Sequence, residues 1–262
     1  MTKGIRYNTI GKDYNTTRRA DPFIVERLYA MLAPIPAGIY LDIGCGTGNY
    51  LTAFSHKGLQ FIGVDPSEVM LQQAKAKNDH TVFIQAKAES LSLPGAHFDG
   101  TIAVLTMHHW DDIGKGLMEV HRVLKPGAHM ACFSFTPQQV MGYWLRHYFP
   151  EMIERSSRTI PAWNEMEQLL LNAGFSHVET EPYFIKEDLQ DNFLYSHKTR
   201  PEQYLRQEIR NNISSFTSFS DRGEVAKGLL QLETDINSGK IKEIMKNYEN
   251  EIGDYLFIQA IA

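Results

Sequence analysis

Residues 39–48 read Ile39-Tyr40-Leu41-Asp42-Ile43-Gly44-Cys45-Gly46-Thr47-Gly48, a short apolar run followed by glycine at every second position. An apolar run of that length ended by glycine predicts a buried strand. The glycines permit positive φ and let a ligand come close to the backbone. The next residues carry a helical pattern over about 48–57, stopped by Gly58. A helix that starts directly behind such a turn points unbonded N–H groups at whatever the turn holds. Strand, tight turn and helix in immediate succession form half of a parallel crossover unit, which commits this part of the chain to an α/β fold.

The same alternation runs from residue 22 to about 136. Asp21-Pro22 starts a helix with Asp as N-cap and Pro in the first turn. Ile24, Val25, Leu28, Met31 and Leu32 form its apolar stripe, and Pro34 and Pro36 end it. Phe61–Val64 is a second strand ending at Asp65, and Ser67 caps a helix reaching about Lys77. Val82–Ile84 and Thr101–Leu105 are the third and fourth strands. Asp111 or Asp112 starts the helix carrying Met118, Val120, Val123 and Leu124, Lys125-Pro126-Gly127 ends it, and His129–Phe135 is the fifth strand. Regular βα alternation predicts right-handed crossovers and a doubly wound, mostly parallel, Rossmann-like sheet.

Beyond residue 136 the rhythm changes. Residues 138–149 are helical and aromatic in pattern, Pro161–Ala173 is a helix closed by Gly174, and Val178–Ile185 is a strand. Residues 187–250 are polar and mostly helical, and Tyr255–Ala262 returns to strand. The 262 residues are too many for one simple core and too few for two full domains. They predict one domain over 1–262, with a ligand-binding core at 14–136 and helical cap insertions at 137–160 and 187–250.

The formal net charge of -5 lacks the basic footprint of a nucleic-acid binder, so a nucleic-acid partner is not expected. Two cysteines, Cys45 and Cys132, make neither a disulfide framework nor a metal-site spacing. The segment Met1–Asn8 has no apolar h-region, and no apolar run approaches the roughly 20 residues that span a bilayer. A cytoplasmic protein without a membrane span is the expectation.

Asp65 stands seventeen residues after Gly48, at the end of the next strand. A carboxylate there can accept hydrogen bonds from both hydroxyls of a ribose, so the ligand is expected to be nucleoside-like. A dinucleotide fingerprint would read G-x-G-x-x-G. Here the loop is G-x-G-x-G, with Asp42 two positions before the first glycine. That carboxylate would repel a pyrophosphate but can face the amino group or sulfonium of S-adenosylmethionine. A ligand-free turn and a nicotinamide-dependent dehydrogenase are the alternatives.

Five segments in order, LDIGCGTGNY, GVDPSEVML, AKAESLSLP, HFDGTIAVLTMHHW and EVHRVLKPGA, carry a family resemblance. The chain resembles class I S-adenosylmethionine-dependent methyltransferases of the type-11 group, similar to those of ubiquinone and menaquinone biosynthesis. The resemblance covers about residues 14–136 and, more loosely, 161–185. It implies that Asp42, Gly44 and Gly46 line the methionine part of the cofactor, and that Asp65 holds the ribose. Pro66 and Met70 would pack near the adenine, Ala88 and Glu89 would read its edge, and Leu105 and Thr106 would pass under the sulfonium. Tyr14 and Arg18 match a Tyr-x-x-x-Arg element, with Arg18 expected to pair with the cofactor carboxylate. Lys87 departs from the pattern: many relatives have Asp there to receive the adenine amino group, a bond lysine cannot accept.

His108 and His109 follow the fourth strand, beside the expected sulfonium. Histidine suits general-base work near neutral pH, and His108 is preferred on position. The alternative is that His-His-Trp is a packing element. No metal is expected from this pair, because adjacent side chains diverge and no further ligand has supporting spacing. Asp111 and Asp112 read as helix caps. Tyr143–Phe149 lines an acceptor pocket or belongs to the core, and Arg200–Tyr204 and Ser214–Phe216 form a lid or a purely structural insertion. The expected function is methyl transfer by in-line displacement to a small-molecule acceptor, through oxygen or carbon ahead of nitrogen. The rivals are a cofactor-binding protein without transfer activity and a nucleic-acid or protein methyltransferase. The fourth strand ends Thr106-Met107-His108-His109-Trp110, without the Asn/Asp-Pro-Pro-Tyr motif of the latter.

Overall fold

A computed structural model describes residues 18–262, so Tyr14 lies outside the described residues. Its strands are β1 (Ile39–Ile43), β2 (Gln60–Asp65), β3 (Val82–Gln85), β4 (Phe98–Val104), β5 (Leu124–Ser134), β6 (Ser176–Tyr183) and β7 (Tyr255–Ile261). They form one sheet in the order β3-β2-β1-β4-β5-β7-β6. The first five are mutually parallel. β7 runs antiparallel to β5 on one side and β6 on the other. The strand order reverses between β1 and β4, which opens a crevice at their carboxyl ends.

Period-two side-chain alternation sets the two faces. In β1, Tyr40 joins one core with Ile24, Leu28, Phe54, Phe61, Ile102 and Phe133. Leu41 and Ile43 join the other with Val64, Phe98, Leu117, Val120 and Met130. Asp42 has the parity of Tyr40 but sits at the strand's carboxyl end, where the crevice replaces the core.

The helices begin where their caps predict. Asp21 accepts from Ile24 N at 3.1 Å at the head of Pro22–Leu32, whose buried residues are those of the apolar stripe. Ser67 caps Glu68–Lys77. Between the two aspartates before Ile113–Val123, Asp112 is the cap, accepting from Lys115 N at 3.0 Å. Several strand ends differ from expectation, β4 running Phe98–Val104 rather than Thr101–Leu105. β5 starts at Leu124 rather than His129, because Leu124 already pairs with Phe98 across a register shift before the ladder resumes at Gly100 and His129. β6 ends at Tyr183 rather than Ile185, because Ile185 N donates instead to the Asp254 carboxylate at 2.8 Å.

The insertions are less polar and less helical than expected. Residues 187–206 are mostly turn and coil, and the main helices come later, at Arg222–Ser238 and Ile241–Asn247. Phe193, Tyr195, Tyr204, Ile209, Phe216 and Leu232 are buried. The aromatic segment 143–149 is core, not pocket wall: Tyr143, Trp144, Leu145, Tyr148 and Phe149 are all buried. Tyr143 stacks on Tyr195 with ring centroids 4.0 Å apart, and Trp144 Nε1 donates to Lys198 O at 2.9 Å. Tyr204 is fully buried as well, which places Arg200–Tyr204 in the scaffold. Among the described residues no helix is long and apolar enough to cross a membrane.

Candidate functional site

Where β1 ends, Gly44 N and Cys45 N both donate to Val64 O, at 2.7 and 3.0 Å, which pins the glycine turn to β2. Gly44 has φ of +70°, and a Cβ there would lie 1.8 Å from Thr106 Oγ1. The turn is therefore packed tightly against the end of β4. Gly46, with φ of +52°, has nothing within 4 Å of where its Cβ would be. One glycine serves close packing and the other an open face.

Two carboxylates stand at this turn. Asp65 accepts from Gly46 N at 2.9 Å with Oδ2 and from Ser67 N at 2.8 Å with Oδ1, so it ties the glycine turn to the next helix cap. Burial pushes its carboxyl up to about 6, against the lowering effect of those two bonds. Asp42 is 2% exposed and its carboxylate has no hydrogen bond to any described residue. Burial first, and the Asp65 charge second, push it up to about 8. A buried, bare carboxyl beside a second carboxylate is costly in an empty protein and well matched to a cation.

Both carboxylates open onto a cleft of about 1120 Å³, part of it open to solvent, at the carboxyl ends of the strands. A second cavity of about 610 Å³ lies under the cap insertions. Arg18, Leu105 and His109 line both and form the shared wall. Leu105 holds φ of +48°, an unusual conformation for a branched residue, and its N–H donates to Phe133 O at 2.8 Å. The turn after β4 therefore presents its backbone and Leu105 side chain between the cavities instead of continuing the strand.

Residues 41–132 match the family model described as "Methyltransferase domain". A solved structure from Anabaena variabilis, described as a methyltransferase from an antibiotic biosynthesis pathway, superposes with a TM-score of 0.83 at 34% identity, over 94% of this chain and 99% of that one. The chain belongs to the type-11 group of class I S-adenosylmethionine-dependent methyltransferases. An uncharacterized methyltransferase of Mycobacterium bovis is 30% identical over 53% of this chain, and this chain spans little more than half of that protein's length, 56%. A demethylmenaquinone methyltransferase of Roseiflexus sp. is 29% identical over 57% of this chain and 72% of its own length.

Of the site residues expected for this methyltransferase family, Arg18, Asp42, Gly44, Gly46, Asp65, Pro66, Met70, Ala88, Glu89 and Leu105 line the large cleft. Thr106 does not; its hydroxyl is packed behind Gly44. The two histidine rings do not diverge as adjacent positions suggested: their centroids lie 3.8 Å apart, yet they line the cavities differently. His108 lines only the second cavity, against Phe135 at 4.9 Å between centroids, while His109 lines both cavities. Of the two candidate bases, only His109 reaches both cavities.

Arg18 is engaged differently from expectation. Its Nε and Nη2 donate to the two Asp191 oxygens at 2.5 and 3.0 Å, and Tyr50 Oη donates to Asp191 Oδ2 at 3.1 Å. Asp21 returns the tie by accepting from Gln190 N at 3.0 Å. Asp191 is fully buried and lines the large cleft, 173 positions along the chain from Arg18. It lies in no motif, so no local pattern marks it. At the other end of the cleft, Lys87 pairs with Asp111 at 2.8 Å, and Glu89 accepts from Asp112 N at 3.0 Å. These bonds draw the loop after β3 onto the turn after β4 and partly occupy the Glu89 carboxylate.

Proposed function

We propose that this protein transfers a methyl group from S-adenosylmethionine to a small-molecule acceptor, through oxygen or carbon. The observation that carries the reading is a bare buried carboxyl, Asp42, behind a cleft that meets a second cavity across a wall of three residues. The residues fit the cofactor. Asp42 offers an unused negative group to its cationic methionine end, the open face of Gly46 leaves room beside it, and Asp65 keeps lone pairs for ribose hydroxyls after its two backbone bonds. Pro66, Met70 and Ala88 supply apolar surface for the base.

Bound S-adenosylmethionine supplies an electrophilic methyl group on a positively charged sulfur. The protein's part is alignment, exclusion of water and handling of one proton. Leu105 and His109 border the path between the cavities. His109 would take the proton of an acceptor hydroxyl whose oxygen receives the methyl group, the sulfur–methyl bond breaking to leave a neutral thioether, and His108 would pack against the acceptor from the second cavity. An acceptor already nucleophilic at carbon needs only the alignment. We read residues 14–136 as the cofactor-holding part of one domain, closed over by 137–160 and 187–250. A cytoplasmic setting agrees with Cys45 and Cys132, both buried free thiols.

Titration calorimetry is expected to show binding of S-adenosylmethionine or S-adenosylhomocysteine, with NAD unable to compete; tight NAD binding would overturn the reading. Asp65→Ala is expected to weaken cofactor binding by about 1–3 kcal/mol, the cost of losing charged hydrogen bonds. His109→Ala should lower turnover at least tenfold while sparing cofactor affinity, and His108→Ala should act mainly on acceptor KM. Equal turnover in wild type and His109→Ala across pH would remove His109 as the base.

A further inference from the structure

We propose that the second cavity selects an uncharged acceptor whose polar edge is held by Asn212 and Ser215; this rests on the methyl-transfer reading above. Among the described residues, the lining of this cavity contains no aspartate, glutamate or lysine. Its one guanidinium, Arg18, is already bridged to Asp191 through two bonds. An ammonium acceptor would find no carboxylate in this cavity, and an anion would have to compete with Asp191 for Arg18. Bringing an unpaired charge into such a site costs several kcal/mol, whereas a neutral ring does not meet that cost.

The walls suit a flat apolar body. Phe135, Phe193, Phe219 and Tyr255 present ring surface, and Tyr255 Oη is occupied as acceptor for Tyr195 N at 3.3 Å. The hydroxyls of Ser156 and Thr159 donate to backbone carbonyls at 2.8 and 2.7 Å. Two buried polar groups of the cap differ. Asn212, 5% exposed, donates Nδ2 to Glu208 O at 2.9 Å and keeps Oδ1 as an acceptor. Ser215, 6% exposed, has a hydroxyl with no hydrogen bond to any described residue. Both lie on residues 212–215, from the cap insertion, and line the same cavity as Leu105, His108 and His109 of the turn after β4. Polar groups this deep favour a ligand that satisfies them. The cap therefore reads the far edge of the acceptor, while the conserved-fold side of the cavity presents the reacting edge to His109.

The test uses three ligands of one shape and different charge: 2-naphthalenemethanol, 2-naphthoate and 2-naphthylmethylammonium. Each is titrated at pH 8 into the full chain saturated with S-adenosylhomocysteine. The alcohol is expected to bind at least tenfold more tightly than either ion. Ser215→Ala, which has no bond to lose among the described residues, and Asn212→Leu should each weaken the alcohol about fivefold or more and leave plain naphthalene unchanged. An ion binding as tightly as the alcohol, undetectable alcohol binding, or equal losses for alcohol and naphthalene would each overturn the proposal. Titration of S-adenosylhomocysteine alone separates the two levels: if it binds and the charge order fails, only the acceptor class falls; if it does not bind, the methyl-transfer reading falls with it.

Discussion

Gly44→Ala is expected to destabilise the protein by about 2–5 kcal/mol, read as a shift in the urea midpoint at unchanged slope. Two costs combine. A left-handed backbone costs a non-glycine residue roughly 1–2 kcal/mol, and Gly44 holds φ of +70°. Overpacking a tight contact costs about 1–3 kcal/mol more, and the new Cβ would stand 1.8 Å from Thr106 Oγ1 and 2.6 Å from Thr106 Cβ. Gly46→Ala separates these costs. It has φ of +52° but no neighbour within 4 Å, so it should lose only about 1 kcal/mol of stability. Its methyl group enters the cleft, so it should weaken cofactor binding instead. Adding Thr106→Ala to Gly44→Ala removes the nearer clash and should recover part of the loss, which a double-mutant cycle detects as coupling. Strict additivity would show that the turn does not lean on Thr106.

The second large effect concerns Asp42, and it depends on pH. Its carboxyl titrates at about 8 in the folded protein and near its ordinary 3.8 in the unfolded chain. Between those values the folded state binds more protons, so stability falls as pH rises from about 4 to about 8. Asp65, raised to about 6, adds a smaller fall over the lower half of the same window. Asp42→Asn should remove most of this slope, giving an empty protein that melts higher than wild type at pH 8. The same variant should bind S-adenosylmethionine more weakly by about 2–4 kcal/mol, as when one partner of a buried charge pair is removed. Cation binding favours the ionised carboxyl, so wild type should release roughly one proton on binding at pH 7, and its affinity should climb between pH 6 and 8. Calorimetry in two buffers of different ionisation enthalpy measures that proton. No proton release, with a flat affinity profile in wild type, would remove Asp42 from the cation site.

The two effects share a design principle. Asp42 sits 2% exposed without a hydrogen-bond partner among the described residues, at the carboxyl end of a central strand. Empty, that arrangement destabilises; with a cationic ligand it becomes a binding determinant. Leu105 repeats the pattern in backbone form, holding φ of +48° at the wall between the cavities, secured by one bond to β5.

The sheet's five parallel strands, the Asp21 and Ser67 caps, a cap at Asp111 or Asp112 and the place of Gly44, Gly46 and Asp65 at the carboxyl ends of the strands were legible in the sequence. Each depends on residues within a few positions or on one strand–turn–helix unit, where hydrophobic period and turn chemistry act locally. Tertiary structure alone decided four other matters. Segment 143–149 became core because residues 195 and 198, some fifty positions on, close over its rings. Ile185 left the β6 ladder because Asp254 offered its N–H a better acceptor. His109, not His108, came to the shared wall because the chain bends through a 3-10 turn at Met107–His109, which leaves both rings on the second cavity and only His109 also on the large cleft. Asp191 met Arg18 and Tyr50 through chain segments 173 and 141 residues apart. Local pattern fixes where the backbone turns and which face is apolar; which distant charge or ring arrives there is settled only when the cap packs onto the sheet.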